Sequence, residues 1–231
     1  MAAQRRSSTN APCRVRSPGA SLAPDLVEED GLEGKMKTIK IDQLRPTQLT
    51  HGLREIRNKT KAYAKLEGHD LEMAIAEKPV PIVYGPGATP YAIDHHHVAT
   101  ALWRAHVKRV PVVLVKDLST LSVAEFWLTL ENHRWTYPYT ALGQRVPFPE
   151  MREHIWDLED DEFRSLSASV RDAGGYEKTS VPLEEFRWAD FFRHAFPLPK
   201  SDAEFDSLVK KAVKLAKSKS AIGLPGYLGN G

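Results

Sequence analysis

The chain has 231 residues, 42% of them hydrophobic and 27% charged, which is typical of a globular protein and excludes a disordered or fibrous one. Its formal net charge of +2 does not by itself indicate nucleic-acid binding, and its single cysteine, Cys13, excludes an internal disulfide and a cysteine-rich metal site. No apolar run approaches the roughly 20 residues that span a bilayer, so we expect a soluble, cytoplasmic protein without membrane partners.

Residues 1–35 are rich in Ser, Ala, Pro and Arg and lack the apolar core of a secretory signal. The first acid, Asp25, is preceded by four arginines, so residues 1–24 weakly resemble an organelle transit peptide. They lack convincing amphipathicity, however. The favoured interpretation is a disordered extension, or an upstream start codon with Met36 as the natural first residue.

From Met36 the pattern predicts a small α/β region over residues 36–118. Alternating and apolar runs indicate strands at 37–41, 80–84, 91–93 and 110–115, and the last of these is apolar enough to be covered on both faces. Helices are expected at about 49–66, 70–77 and 95–107. The first helix carries Arg54, Arg57, Lys59 and Lys61, which we interpret as a solvated face.

Residues 119–220 are predicted to form a helical region packed on the first, followed by a tail at 221–231. Helices are expected at 123–132, at 161–173 before Gly174-Gly175, at 182–195, and from a capping spacing at Ser201 to about 218. The aromatic residues of the third of these helices are expected in the core: Phe186, Trp188, Phe191 and Phe192.

One stretch, residues 91–102, combines a strand end, a turn and a helix start. Asp94 is a good N-cap, and the apolar spacing from Val98 onward predicts a buried helix face. His95, His96 and His97 would then occupy the first turn, where free N–H groups and the helix dipole favour an anion. Successive helical residues point about 100° apart, so these three histidines alone cannot bind one metal ion.

Members of the ParB/sulfiredoxin superfamily carry a strand followed by a Gly-x-His-Arg or Asp-Gly-His-His-Arg type motif at a helix start, here called the box. The stretch Ile93-Asp94-His95-His96-His97 resembles this box, and its version is similar to that of the ParB-like nuclease branch. Further similar stretches extend the likeness over most of residues 37–196: 44–48, 135–139, 163–166 and 171–176. The resemblance implies an α/β (α+β) fold with a small mixed sheet, a helical C-terminal region and a box that binds nucleotide phosphates. Branches bind or hydrolyse CTP or ATP, phosphorylate small molecules, reduce a sulfinic acid or cut nucleic acid.

The box departs from that family pattern at two positions. His95 replaces the usual glycine, which narrows the space for a phosphate against the backbone. Val98 replaces an arginine and so removes a bidentate phosphate clamp. His96 stands where sulfiredoxin needs its cysteine nucleophile, and Cys13 is far away in sequence, so sulfinic-acid reduction is excluded.

The leading hypothesis is phosphoryl or phosphodiester chemistry on a nucleotide, a phosphorylated small molecule or a nucleic acid. Asp94, His96 and His97 are the predicted catalytic residues, because imidazole transfers protons near neutral pH and a carboxylate can orient it. Asp94 is also a candidate water-mediated ligand for Mg²⁺. Residues expected to bind the phosphate or nucleotide (ATP or CTP) are His95, Gln48, Arg45 and the loop glycines Gly85 and Gly87.

Two alternatives remain at this point. A non-catalytic module could bind nucleotide and rearrange the helical half to expose a surface for DNA or another partner. The missing box arginine favours this module, because it weakens charge stabilisation in a transition state. The other alternative is a metal-dependent hydrolase that combines His95 or His97 with Asp94 and a distant acid, Glu125 or Glu131, although that spacing suits metal ligands poorly.

Overall fold

The protein is described here by a computed structural model over residues 36–229. The interpretations of residues 1–35, including Cys13, and of the last two residues of the tail lie outside the described residues. No helix in the described range is long and apolar enough to cross a membrane.

The main sheet has five strands in the order β1-β6-β4-β5-β2, with parallel and antiparallel pairs alternating across it. This confirms the mixed α/β fold that the sequence predicted. The antiparallel hairpin of β4 and β5 lies in its centre and leads into the histidine stretch. The strands are β1 (Thr38–Lys40), β2 (Arg45–Pro46), β4 (Val80–Gly85), β5 (Thr89–Ala92) and β6 (Arg109–Asp117).

A second sheet of two short parallel strands, β3 (Thr50–His51) and β7 (Glu159–Asp160), links the two halves of the chain. Each strand runs directly into a helix, so the pairing places the first turns of α1 and α5 side by side. The Asp160 carboxylate accepts a hydrogen bond from the Leu53 N–H at 2.9 Å, which satisfies one free donor at the start of α1. The seven α-helices of the described range are α1 (Leu53–Tyr63), α2 (Gly68–Ala76), α3 (His96–Arg104), α4 (Val123–Asn132), α5 (Glu162–Asp172), α6 (Glu184–Ala195) and α7 (Asp202–Ala216).

The buried apolar side chains form three clusters. One lies between the sheet and helices α1 and α3, a second joins α5, α6 and α7, and a third packs α4 against Val83 and Tyr91 of the β4–β5 hairpin. Phe186, Trp188 and Phe192 are buried in or beside the second cluster, and Phe191 is partly buried there, so their predicted core role is confirmed. The helical C-terminal region therefore has a core of its own.

Two predicted elements were wrong in detail. Strand β6 is covered only along its first half: Val113, Leu114 and Val115 are each 46–48% exposed, because the core cluster between the sheet and helices α1 and α3 extends only to Val110 and Val112. The predicted helix at 49–66 begins only at Leu53, because residues 50–51 pair with β7 instead.

Candidate functional site

The histidine stretch starts α3 in an unusual way. His95, not Asp94, is the N-cap residue, and it adopts the left-handed conformation with φ of 56°. The predicted capping role of Asp94 was wrong, because its Oδ1 accepts a hydrogen bond from the neighbouring His95 N–H at 2.6 Å and no side chain of the described range caps the helix. The backbone N–H groups of His96 and His97 therefore remain available to an anion.

His96 is a buried, neutral histidine. Its Nε2 accepts a hydrogen bond from the Thr47 N–H at 3.1 Å, and the residue is only 3% exposed. Burial, assisted by the neighbouring His97, lowers the pKa of His96 to about 3. We therefore revise the prediction for His96: an imidazole that satisfies a buried backbone donor and resists protonation at neutral pH has a structural role in joining α3 to the segment between β2 and β3.

His95 and His97 are better placed for chemistry. The Nδ1–H of His95 donates to the Pro79 carbonyl at 2.8 Å, which leaves its Nε2 as an acceptor. The Nε2 of His97 lies 3.6 Å from Glu55 Oε1. Burial, with Arg164 and Lys59 close by, holds the pKa of His97 well below its usual value, so His97 is neutral at pH 7 and this contact is not an ion pair. The two imidazole ring centres are 6.1 Å apart.

Both rings line a cavity of about 570 Å³ between the α/β half and a wall formed by α5, the loop before α6 and the first turn of α6. The cavity wall carries six Lys or Arg side chains and four Asp or Glu side chains, so positive charge is in excess. The acids are Glu55, Asp94, Glu184 and Glu185, and the basic residues are Lys59, Lys78, Arg134, Arg164, Arg171 and Lys178.

Three buried polar atoms of this wall have no hydrogen-bond partner within residues 36–229: Nη1 of Arg164, Nδ1 of His51 and Oε1 of Glu184. An unpaired buried polar group costs about 1–3 kcal/mol, so such groups are rare unless a ligand uses them. Arg164 is 8% exposed, and its nearest carboxylate oxygen, on Glu185, is 3.9 Å away. The cavity thus holds a guanidinium that the fold leaves incompletely paired.

The structure separates several residues that the sequence grouped together. Gln48 lines the cavity, and its Nε2 donates to the Thr50 carbonyl at 2.8 Å. Arg45 does not line it and instead contacts Glu153 through the backbone carbonyl and the carboxylate.

The structure places the predicted glycine loop away from the histidines, and its role in phosphate binding stays a prediction. Gly85 pairs with Thr89 at the end of the β4–β5 hairpin that lies away from the histidines, whereas Ala92 at the near end pairs with Ile82. A Cβ on Gly85 would lie 2.6 Å from the Tyr91 ring, so this glycine permits tight packing. Gly87 provides the left-handed turn of the hairpin with φ of 70°.

No group of three or more His, Cys, Asp or Glu side chains in the described range is arranged to hold a metal ion. The two distant acids of the metal-hydrolase alternative have other contacts, because Glu125 closes the capping box of α4 with Ser122 and Glu131 pairs with Arg145 at 2.7 Å. The water-mediated Mg²⁺ site at Asp94 stays a prediction.

Sequence reasoning missed most of the charged wall. Lys59 was assigned to a solvated face, yet it lies on the side of α1 that borders the cavity, 3.7 Å from Glu55. Arg164 and Arg171 fall inside stretches that carried the family resemblance. That resemblance was the only indication in the sequence that they belong to the site. Their distance along the chain from the histidines concealed their role.

Comparison with known proteins identifies a family and solved structures of similar fold. Residues 37–194 match the family model described as "Putative ParB-like nuclease". Among solved structures, the crystal structure of protein Atu1540 from Agrobacterium tumefaciens is 38% identical, covers 85% of this chain and 100% of its own, and superposes with a TM-score of 0.77. No curated protein was found to match the chain.

Proposed function

Because this chain belongs to the ParB-like nuclease family, we propose that its cavity at the start of α3 binds a phosphate ester and hydrolyses it. The observation that supports this most strongly is the incompletely paired Arg164 guanidinium, which borders the same cavity as the uncapped N-terminus of α3. A phosphate group would satisfy both, since guanidinium groups and helix N-termini each bind phosphate oxygens.

Lys59 and Arg171 would complete the binding of the phosphate. Both line the cavity, and each is held by an acid: Lys59 by Glu55 at 3.7 Å and Arg171 by Glu185 at 2.7 Å. These pairs keep the cations in position before the ligand arrives, and a doubly charged phosphate would compete with the carboxylates for them. The positive charge would also stabilise the charge that develops on phosphorus oxygens during the reaction.

The proposed proton acceptor is Nε2 of His95, because the Pro79 carbonyl fixes the proton on Nδ1. A water molecule would lose its proton to Nε2 while its oxygen bonds to phosphorus, and the opposite P–O bond would break. The negative charge of the leaving oxygen would be balanced by Arg164 and Lys59 until water protonates that oxygen. His97, neutral and near Glu55, would donate a hydrogen bond to the phosphate.

The test is phosphorus NMR of the full chain with ATP, CTP and bis(4-nitrophenyl) phosphate as a simple diester, with and without Mg²⁺. We expect new phosphorus signals from at least one compound. We also expect a loss of about 100-fold in rate or more for His95→Gln, which is in the range for removal of a general base. His69→Gln, on the exposed face of α2, is the matched control. Unchanged turnover in the His95 variant would refute this mechanism.

Arg164→Met gives a second, independent measurement. If Arg164 were mainly a structural residue, its removal would destabilise the protein. Because its Nη1 is buried without a partner and Glu185 keeps Arg171 at 2.7 Å, we expect a loss of stability of no more than about 1 kcal/mol, while phosphate affinity falls about tenfold or more. A large loss of stability with unchanged affinity would contradict the proposal.

A second candidate function is a nucleotide-dependent switch without turnover, and one contact favours it. Glu185 lies in the first turn of α6; burial alone would raise its pKa, but Arg164 and Arg171 bring that pKa below its usual range. A phosphate bound to these arginines would displace Glu185 and so act on α6. Binding seen by phosphorus NMR without new species, together with tighter binding by Glu185→Gln, would support the switch.

A further inference from the structure

A second groove, of about 800 Å³, lies at the opposite end of α3 from the histidines. It is formed by the turn after β1, the last turn of α3 and the loop that leads into β6. Its wall has one acid, Asp42, and four exposed cations, namely Lys40, Arg104, Lys108 and Arg109. The groove is therefore basic although the whole chain is nearly neutral.

Trp103 borders this groove and forms one end of a stack of three aromatic rings. Trp103 stacks on Trp156 with ring centres 5.1 Å apart and an angle of 18°, and Trp156 stacks on His154 at 4.5 Å and 15°. Trp156 covers one face of Trp103, yet 40% of Trp103 remains exposed. A large aromatic side chain that is supported by one stacked ring and is still exposed can accept a further planar ring.

We propose that this groove binds single-stranded nucleic acid, with a base stacked on Trp103 and backbone phosphates at Lys40 and Lys108. Base stacking on aromatic rings within a basic groove is the usual means of binding single strands, and it requires a base face that a duplex does not expose. An acidic peptide would match the positive charge but would leave the exposed Trp103 ring without a planar partner.

The groove and the cavity are close enough to serve one strand. Helix α3 has nine residues, so its two ends lie about 12 Å apart at a rise of 1.5 Å per residue. Arg104 borders the groove, and its charge contributes to lowering the pKa of His51, which lies in the cavity wall. A strand held on Trp103 could therefore present a phosphodiester to the cavity, although binding in the groove does not require catalysis there.

The test is the fluorescence anisotropy of a fluorescein-labelled dT12 strand, and of a 12-base-pair duplex, with the full chain at 50–300 mM salt. We expect tighter binding to the single strand, and an affinity that falls with salt at a slope of about −2 to −3, as expected for three to four phosphate contacts. Trp103→Ala should weaken binding to the single strand about fivefold or more, whereas Trp103→Phe should retain most of it.

A charge-matched pair of double variants completes the test. Lys40→Glu/Lys108→Glu should weaken binding and reduce the salt slope by about 1 to 2, whereas Lys210→Glu/Lys211→Glu, on the exposed face of α7, should not. Equal losses in the two double variants would show general charge attraction and overturn the proposal. Unchanged binding by Trp103→Ala would also overturn it. Nucleotide binding in the cavity should be unaffected by any of these variants, which separates this proposal from the preceding one.

Discussion

The role assigned to His96 predicts a specific loss of stability in acid. In the folded protein its Nε2 accepts the Thr47 N–H and burial lowers its pKa to about 3, whereas the unfolded chain takes up a proton near 6.5. Between these two values the unfolded state binds more protons than the folded state, so the free energy of unfolding falls as the pH falls. The contribution of His96 is complete above about pH 7 and is lost progressively toward pH 3.

The size of the effect follows from the two pKa values. Between pH 7 and pH 5 the difference in proton binding at His96 amounts to about 2 kcal/mol. His51, whose pKa burial and Arg104 lower to about 4, should add about the same amount, and the lowered pKa of His97 acts in the same direction. These histidines together should therefore contribute a loss of about 4 kcal/mol over this range, partly opposed by Asp160 and Asp161, whose pKa values are raised by burial.

The assay is urea denaturation followed by circular dichroism at pH 7, 6 and 5. His96→Gln removes one titrating group while keeping an oxygen that can accept the Thr47 N–H, so it should lose about 2 kcal/mol less than the wild type between pH 7 and 5. His69→Gln, which changes an exposed histidine, should behave like the wild type. The reasoning would be refuted if the wild type were equally stable at pH 7 and 5, or if His96→Gln lost as much as the wild type.

Three further substitutions test the fold and the placement of the site. Arg193→Met removes the 2.6 Å partner of the fully buried Asp161 carboxylate, so urea denaturation should show a loss of about 3–5 kcal/mol, and a loss below about 1 kcal/mol would contradict it. Gly175→Ala places a Cβ 2.4 Å from Val170 Cγ1 and should lower stability by about 1–3 kcal/mol in the same assay; unchanged stability would contradict the tight packing of α5. Gly87→Ala should cost about 1 kcal/mol for its left-handed backbone but leave phosphate affinity in the cavity unchanged by calorimetry, and lost affinity would restore the glycine loop to the site.

The elements predicted best are those with local signals. Helix α4 occupies the predicted residues 123–132, because Ser122 and Glu125 form a complete capping box that marks its first turn in the sequence. Helix α5 likewise follows an N-cap aspartate, Asp161, whose Oδ1 accepts from two backbone N–H groups, and it ends before Gly174. These signals act within a few residues, so one sequence is sufficient to find them.

The features that were missed depend on contacts between distant segments. A run of apolar residues indicates that β6 is a strand, but it does not show which half of the strand the core covers. Val113 to Val115 fall in the half that stays exposed. Aspartate is favoured at N-caps, but the left-handed backbone at His95 turns the chain there. The Asp94 carboxylate therefore reaches only the N–H of His95. The same left-handed conformation explains the glycine at this position in the resembling boxes, because a residue with a side chain adopts this conformation only at a cost in free energy.

We infer that Arg164, from the helical half of the chain, supplies the positive charge that the missing box arginine would have provided. Val98 stands where the resembling boxes carry arginine, and its side chain is completely buried in the α/β core, so it contributes nothing to the cavity. Because β3 pairs with β7, the first turn of α5 lies against the start of α1, and this places the Arg164 guanidinium in the cavity wall. The charge needed for a phosphate is thus supplied from a helix whose position depends on the parallel strand pair. The helical region is consequently part of the proposed site, and a phosphate bound to Arg164 would contact both halves of the protein.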